Sequence, residues 1–190
     1  MKNKVVLASG NKKKLKEIRE MLPEFEVIPC AELGYTEDIE ETGLTFYENA
    51  LIKAKTVSLA LGLPALADDS GICVDYLDGA PGIYSARYAG DGVDEHNNAL
   101  LLEQLKGVED RSAKFVCCMV FYKPNGEIIT ATGETKGRVL HAPEGTNGFG
   151  YDPIFFSDDL GKCLGVASAE EKNKISHRYR ALKELKDKLV

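Results

Sequence analysis

Two adjacent carboxylates, Asp68 and Asp69, end the apolar run Ala65-Leu66-Ala67 and are followed by Ser70-Gly71. A carboxylate placed there can bind Mg2+, which takes oxygen ligands and substrate phosphates, or can orient and deprotonate a water. If a strand carries the pair, the two side chains point to opposite faces and only one enters a given site. Asp69, beside the Ser70-Gly71 turn, is the candidate; capping that turn is the alternative role. The Asp-x-Asp arrangement of aspartyl-phosphate phosphatases is absent, which argues against a phosphoenzyme. Glu40 and Glu41, just ahead of Gly43, can complete a metal site or simply complement the dipole of the helix that follows. Lys53 on that helix suits either a phosphate partner or a solvated face.

Three further segments suit phosphate and base recognition. Ser9-Gly10-Asn11-Lys12-Lys13-Lys14 lies where a first strand hands over to a helix, so free amides, the helix dipole and the lysines favour an anion. The spacing is not that of a P-loop. In Gly148-Phe149-Gly150-Tyr151-Asp152 the glycines would let backbone amides approach a ligand, and Phe149 offers a ring on which a base can stack. The competing role is a glycine-rich turn with Phe149 tucked into the core. Ser176-His177-Arg178 opens the last helix and supplies donors, or caps and solvates it. Four such segments in 190 residues point to an enzyme acting on a nucleotide.

The elements that must hold these groups follow from periodicity. Val5 to Ala8 is a buried strand, and Leu15, Ile18, Met21 and Leu22 recur at helical spacing after it. A second strand is expected over Phe25 to Pro29. Thr45 and Glu48 form a capping box for a helix whose face is Phe46, Ala50, Ala54, Val57 and Leu61, stopped by Gly62 and Pro64. Ala65 to Asp68 and Ile72 to Asp75 read as two strand pieces around an acidic turn, and Asp94 as the cap of a helix through Leu105. Phe115 to Tyr122 suits a central strand covered on both faces; Asn125-Gly126 predicts a hairpin returning over Ile128 to Thr132. Ser168 and Glu171 make a second capping box, and Ile175, Leu182, Leu185 and Leu189 mark a C-terminal amphipathic helix. The order argues for α/β with a mixed sheet, in one domain over residues 1–190.

Composition narrows the partners. A net charge of −6 disfavours a nucleic-acid groove, while a small anionic ligand needs only local lysines. The N-terminal apolar run is too short for a signal peptide or a membrane span, which argues for the cytosol. Five cysteines, odd in number and without CxxC spacing, read as free thiols.

The segments resemble, in order, those of the inosine triphosphate pyrophosphatases, also called XTP/dITP diphosphatases. The likeness runs through Leu7 to Lys14, Glu40-Glu41-Thr42-Gly43-Leu44-Thr45-Phe46, Ala67-Asp68-Asp69-Ser70-Gly71 and Pro81-Gly82-Ile83-Tyr84-Ser85-Ala86-Arg87-Tyr88. It continues through Gly148 to Pro153 and Glu171 to Arg178. The resemblance implies an elongated, two-lobed α/β fold with a long mixed β-sheet flanked by helices, a nucleotide cleft between the lobes, and a homodimer. It also implies Mg2+-dependent hydrolysis of ITP, dITP and XTP to the monophosphate and pyrophosphate, removing deaminated purines from the nucleotide pool.

Carried over by residue, Asp69 is the proton acceptor and a metal ligand, and Glu41 a second metal contact. Ser9, Gly10, Asn11, Lys12, Lys13, Lys14, Lys53 and Ser70 hold triphosphate and sugar, with Arg87 a further phosphate partner. Phe149, Gly150, Tyr151, Asp152, Lys172, His177 and Arg178 recognise the base. A donor from His177 or Arg178 would match a purine 6-oxo group, whereas a 6-amino group would leave it unpaired; guanine, also 6-oxo, must be rejected at another position. Two departures stand out: Val166 lies where many members place an acidic residue, and Asn147 where a glycine is common. A non-catalytic nucleotide-binding module is the alternative; retention of Asp69, Glu41 and the lysines favours the enzyme.

Overall fold

The computed structural model describes residues 2–189. Its regular elements are β1 (Asn3–Leu7), α1 (Lys12–Met21), β2 (Phe25–Pro29), α2 (Phe46–Leu61), β3 (Ala65–Val74) and α3 (Asp94–Gln104), then β4 (Ser112–Tyr122), β5 (Ile128–Val139), β6 (Phe155–Ser157), β7 (Lys162–Cys163), α4 (Ala169–Ile175) and α5 (His177–Leu189). The seven strands form one open, mixed sheet in the order β2-β1-β3-β4-β5-β6-β7, flanked by helices. β1 runs parallel to β2 and β3, whereas β5, β6 and β7 pair antiparallel. This is the α/β class with a mixed sheet that the element order predicts, and the sheet is long, as the resemblance implies.

The chain forms two compact units. The first comprises Met1–Asp69, Cys118–Thr132 and Ala181–Val190; the second comprises Ser70–Cys117 and Gly133–Arg180. In the first, α2 lies on β1 and β3 through Ala50, Ala54 and Val57 against Val6, Ala8, Ala65 and Ala67. Short side chains on both surfaces let the helix approach closely, which places its polar residues within reach of the strand ends. In the second, Ile72, Val74, Leu101, Leu105, Phe115, Phe155 and Leu164 build the core. The Phe115 and Phe155 rings pack tilted with centroids 4.5 Å apart.

Local chemistry explains most boundaries. Asn11 caps α1, its side-chain oxygen accepting from the amides of Lys13 and Lys14. Thr45 caps α2 by accepting from the Glu48 amide, while the Glu48 carboxylate reaches the Leu44 amide rather than that of Thr45. Gly62, at φ +66°, ends the helix. Ser168 and Glu171 complete a reciprocal capping box on α4, and Ser176, extended at ψ 149°, separates α4 from α5 while its hydroxyl accepts from the Tyr179 amide.

Three expectations are corrected. The acidic turn does not exist: β3 runs unbroken through Asp68, Asp69, Ser70 and Gly71, because lysines from α1 and α2 supply the counter-charge that lets carboxylates lie in a buried strand. Asp94 is not the cap of α3; Val93 holds that position without a side-chain bond, and the Asp94 carboxylate serves elsewhere. The return strand extends past Thr132 to Val139, passing Gly137 because the Phe156 carbonyl of β6 would lie 1.9 Å from any Cβ there. The hairpin turn at Asn125-Gly126 forms as expected, with Gly126 at φ +91° and Lys123 donating to the Glu127 carbonyl. All five cysteines are free thiols.

Candidate active site

In the first unit, α1, α2, β3 and the loop before α2 gather three carboxylates and two ammonium groups. Strand alternation puts Asp69 on the Ala65 and Ala67 face covered by α2, and Asp68 on the opposite face. Lys14 Nζ donates to both Asp68 oxygens at 3.0 Å, and Asp68 is almost fully buried. Lys53 Nζ donates to the Asp68 backbone carbonyl at 2.7 Å, lies 2.7 Å from Glu41 Oε1, and stands 3.9 Å from Asp69 Oδ1. One ammonium thus touches the strand and both candidate metal ligands.

Burial pushes the Asp69 carboxyl up to about 6 from an ordinary 3.8. Lys53 opposes that rise, Glu41 adds to it, a hydrogen bond from Asn49 opposes it, and the charge of Asp68 adds a smaller push. Among the described residues, Asp69 Oδ2 is buried without a hydrogen-bond partner. Such an atom is costly unless something binds it.

Asn49 escaped the sequence reading because a neutral amide on a helix carries no charge signal. It is buried on α2, one turn before Lys53, and its Oδ1 accepts from the Gly43 amide at 2.8 Å. That bond fixes the amide orientation, so the NH2 group is the end facing Asp69. Gly43 must lack a side chain, since a Cβ would lie 2.6 Å from Glu48 Cβ and 2.7 Å from Asn49 Oδ1. Asn49 therefore ties the Glu41 loop and Asp69 to one helix face.

At the start of α1 the amides are less free than expected. Asn11 Oδ1 takes those of Lys13 and Lys14, and Ser9 Oγ accepts from that of Asn11. Gly10, Lys12 and Lys13 are exposed, whereas Lys14 turns inward. The segment therefore offers an anion its lysines and dipole more than its backbone.

In the second unit, the segment from Gly148 to Asp152 forms a tight loop. Gly148 and Gly150 both have left-handed φ, +74° and +58°, and a Cβ at Gly148 would meet Asp152 Oδ2 at 2.1 Å. The backbone N–H groups predicted to face a ligand are engaged: Phe149 donates to Asp152 Oδ2 at 3.0 Å, and Gly150 to Asp94 Oδ2 at 2.8 Å. Tyr151 and Asp152 are buried. Tyr151 donates from its hydroxyl to the Ser85 carbonyl at 2.6 Å, and burial raises its phenol. Asp152 pairs with Lys172, whose ammonium also sits 4.3 Å from the Phe149 ring centroid.

Phe149 itself is half exposed. His177 stacks on Phe115 with centroids 5.1 Å apart, and Arg178 is buried. Arg87 is exposed, with its guanidinium 5.4 Å from the Tyr84 ring centroid, and Ser70 is half-buried in β3. The two departures meet: Asn147 donates from its backbone to Gly165 and from its side chain to Ala167, on either side of exposed Val166.

Known proteins resemble the chain over nearly its whole length. A dITP/XTP pyrophosphatase of Haemophilus influenzae is 51% identical, with both chains fully covered, and one of Treponema denticola is 48% identical over 94% of each. The Staphylococcus aureus Ham1 protein superposes with a TM-score of 0.94 at 42% identity, over 98% of both chains. The Ham1 family profile matches residues 5–188, almost the whole described chain, and the chain belongs to the Ham1 family.

Proposed function

We infer that the chain hydrolyses the purine nucleoside triphosphates dITP, XTP and ITP to the monophosphate and pyrophosphate, and so removes deaminated purines from the nucleotide pool. Its relatives bear the name dITP/XTP pyrophosphatase across nearly their full lengths. The observation that carries the chemistry is Asp69: a largely buried carboxyl at about 6, ionised at neutral pH yet close enough to it to accept a proton, with one oxygen unpartnered.

In the proposed reaction, Asp69 accepts the proton of a water that attacks the α-phosphorus, and the bond to the leaving pyrophosphate breaks. Lys14 and Lys53 supply positive charge where the leaving group gathers negative charge, in a partly buried setting where that counts for more than in water. Lys12, Lys13, Ser9 to Asn11, Ser70 and Arg87 serve the phosphates and sugar. Phe149 stacks on the base beside Lys172, on a platform shaped by Gly150, Tyr151 and Asp152. His177 and Arg178 read the 6-oxo group.

The cluster fits Mg2+. Asp69 Oδ2 and Glu41 are hard oxygen donors, and the orphaned state of the first is relieved by a cation. Among the described residues no three His, Cys, Asp or Glu side chains are gathered to hold a metal alone. That suits an ion which keeps waters and leans on substrate phosphates rather than on an all-protein cage. When bound, Mg2+ supplies charge neutralisation on the phosphates and a lowered pKa for water. A homodimer in the cytosol belongs to the same proposal; among the described residues no helix is long and apolar enough to cross a membrane.

Incubation of the purified chain with dITP or ITP and Mg2+, with products separated by chromatography, tests the reaction. Pyrophosphate with dIMP or IMP is expected. Diphosphate with orthophosphate, or binding without turnover, would overturn the reading.

A further inference from the structure

The Phe149 loop is held partly from within, where Asp152 accepts from the Phe149 amide, and partly from outside. Gly150 is gripped through both of its backbone groups by α3: the N–H donates to Asp94 Oδ2 at 2.8 Å, and the carbonyl accepts from Asn98 Nδ2 at 3.0 Å. Asp94 and Asn98 are four residues apart, one helical turn, so both project from one face of α3. The carbonyl requires a donor, which fixes the Asn98 amide; among the described residues its Oδ1 is left buried without a hydrogen-bond partner. Leaving such an oxygen unsatisfied costs stability, so the Gly150 contact is retained at some expense to the fold.

Gly150 sits at φ +58° with no atom near its missing Cβ, so packing alone does not hold this peptide in a left-handed conformation. Asp94 is at the first turn of α3 yet forgoes the capping role its residue type favours. The Gly150 peptide directly follows Phe149, so its orientation sets the direction of the ring. We propose that Asp94 and Asn98 are positioning residues that fix the tilt of the Phe149 ring and thereby set affinity for every nucleotide stacked on it. This inference rests on the assignment of Phe149 as the stacking platform.

The test compares Asp94→Ala, Asp94→Asn and Phe149→Ala by steady-state kinetics with dITP and ITP at saturating Mg2+, alongside hydrogen exchange at the Gly150 amide. Asp94 is exposed, so its variants are expected to fold. Loss of one hydrogen bond to a charged group predicts KM raised about three- to tenfold in Asp94→Ala for both substrates, with kcat within about twofold of the parent. Asp94→Asn keeps an acceptor oxygen and should restore KM to within about twofold, which a general loss of folding stability would not produce. Gly150 amide exchange should quicken in Asp94→Ala and remain slow in Asp94→Asn. An unchanged KM in Asp94→Ala, where Phe149→Ala raises it, would overturn the positioning role. An unchanged KM in Phe149→Ala would instead overturn the stacking assignment beneath it.

Discussion

The carboxylate cluster and the Phe149 loop are built on opposite plans. The first is charged side chains on regular elements: three acids and two lysines brought by β3, α1, α2 and the loop before α2, with Asn49 as the one neutral tie. The second is a glycine-shaped backbone turn whose principal group is a neutral ring, held by hydrogen bonds to Asp94, Asn98 and Asp152. A group whose ionisation must be tuned needs neighbours at fixed distances, which a strand packed under a helix provides. A ring that must meet a flat base needs only a direction, which a braced loop can set. Damage to the first plan should therefore appear in kcat, and damage to the second in KM.

The largest effect should come from removing the divalent cation. Exhaustive chelation is expected to bring dITP hydrolysis to background and added Mg2+ to restore it; full activity after metal removal would separate the acids from any metal role. Asp69→Asn comes next. The amide keeps the shape but loses proton acceptor and charge, so kcat should fall about 10²- to 10⁴-fold while KM moves little. A fall confined to KM would erase the contrast between the two sites. Phe149→Ala should lower kcat/KM by about five- to 150-fold, and by similar factors for ITP and ATP, because stacking is tolerant of base identity. A change in the ITP/ATP ratio would give the loop a share in base selection.

The smallest effect concerns stability. Asp69 has a folded pKa of about 6, above its ordinary 3.8, so its ionised form costs the metal-free fold stability. That cost is fully present above pH 6 and vanishes as pH falls below 3.8. In chelator, Asp69→Asn should raise the melting temperature by a few degrees at pH 7.5, and the gap to the parent chain should shrink by pH 4.5. An equal gap at both pH values would deny that Asp69 stores the strain.

How far the sequence was legible differed between the sites. Asp69, Glu41, Lys14 and Lys53 stood out because charged residues beside an apolar run are conspicuous; in the first unit Lys53 joins Glu41 and Asp69, while Lys14 pairs with Asp68 on the other strand face. The continuity of β3 was hidden, since Asp-Asp-Ser-Gly has the composition of a turn and only lysines distant in sequence make it a strand. The full length of β5 was hidden by Gly133 and Gly137, which read as breakers. β6 and β7 are too short to show periodicity. Asn49, Asp94 and Asn98 were missed as supports because each acts on backbone or on another side chain, at positions where an amide or a capping acid looks ordinary.

The interleaving of the two units reaches into the birth of the molecule. The unit that carries Asp69 is assembled from Met1–Asp69, Cys118–Thr132 and Ala181–Val190, so β1, β2 and β3 can pair early while β3 waits for β4 and the unit is completed only by residues made near the end of translation. Contacts between such remote stretches form slowly, and the early part of the chain must remain soluble with apolar strands uncovered until then. Helix α2, which covers the Asp69 face, belongs to the first of these stretches, whereas β4 beside β3 and residues 181–190 come later, so the surroundings of the carboxyl are completed in stages along the chain.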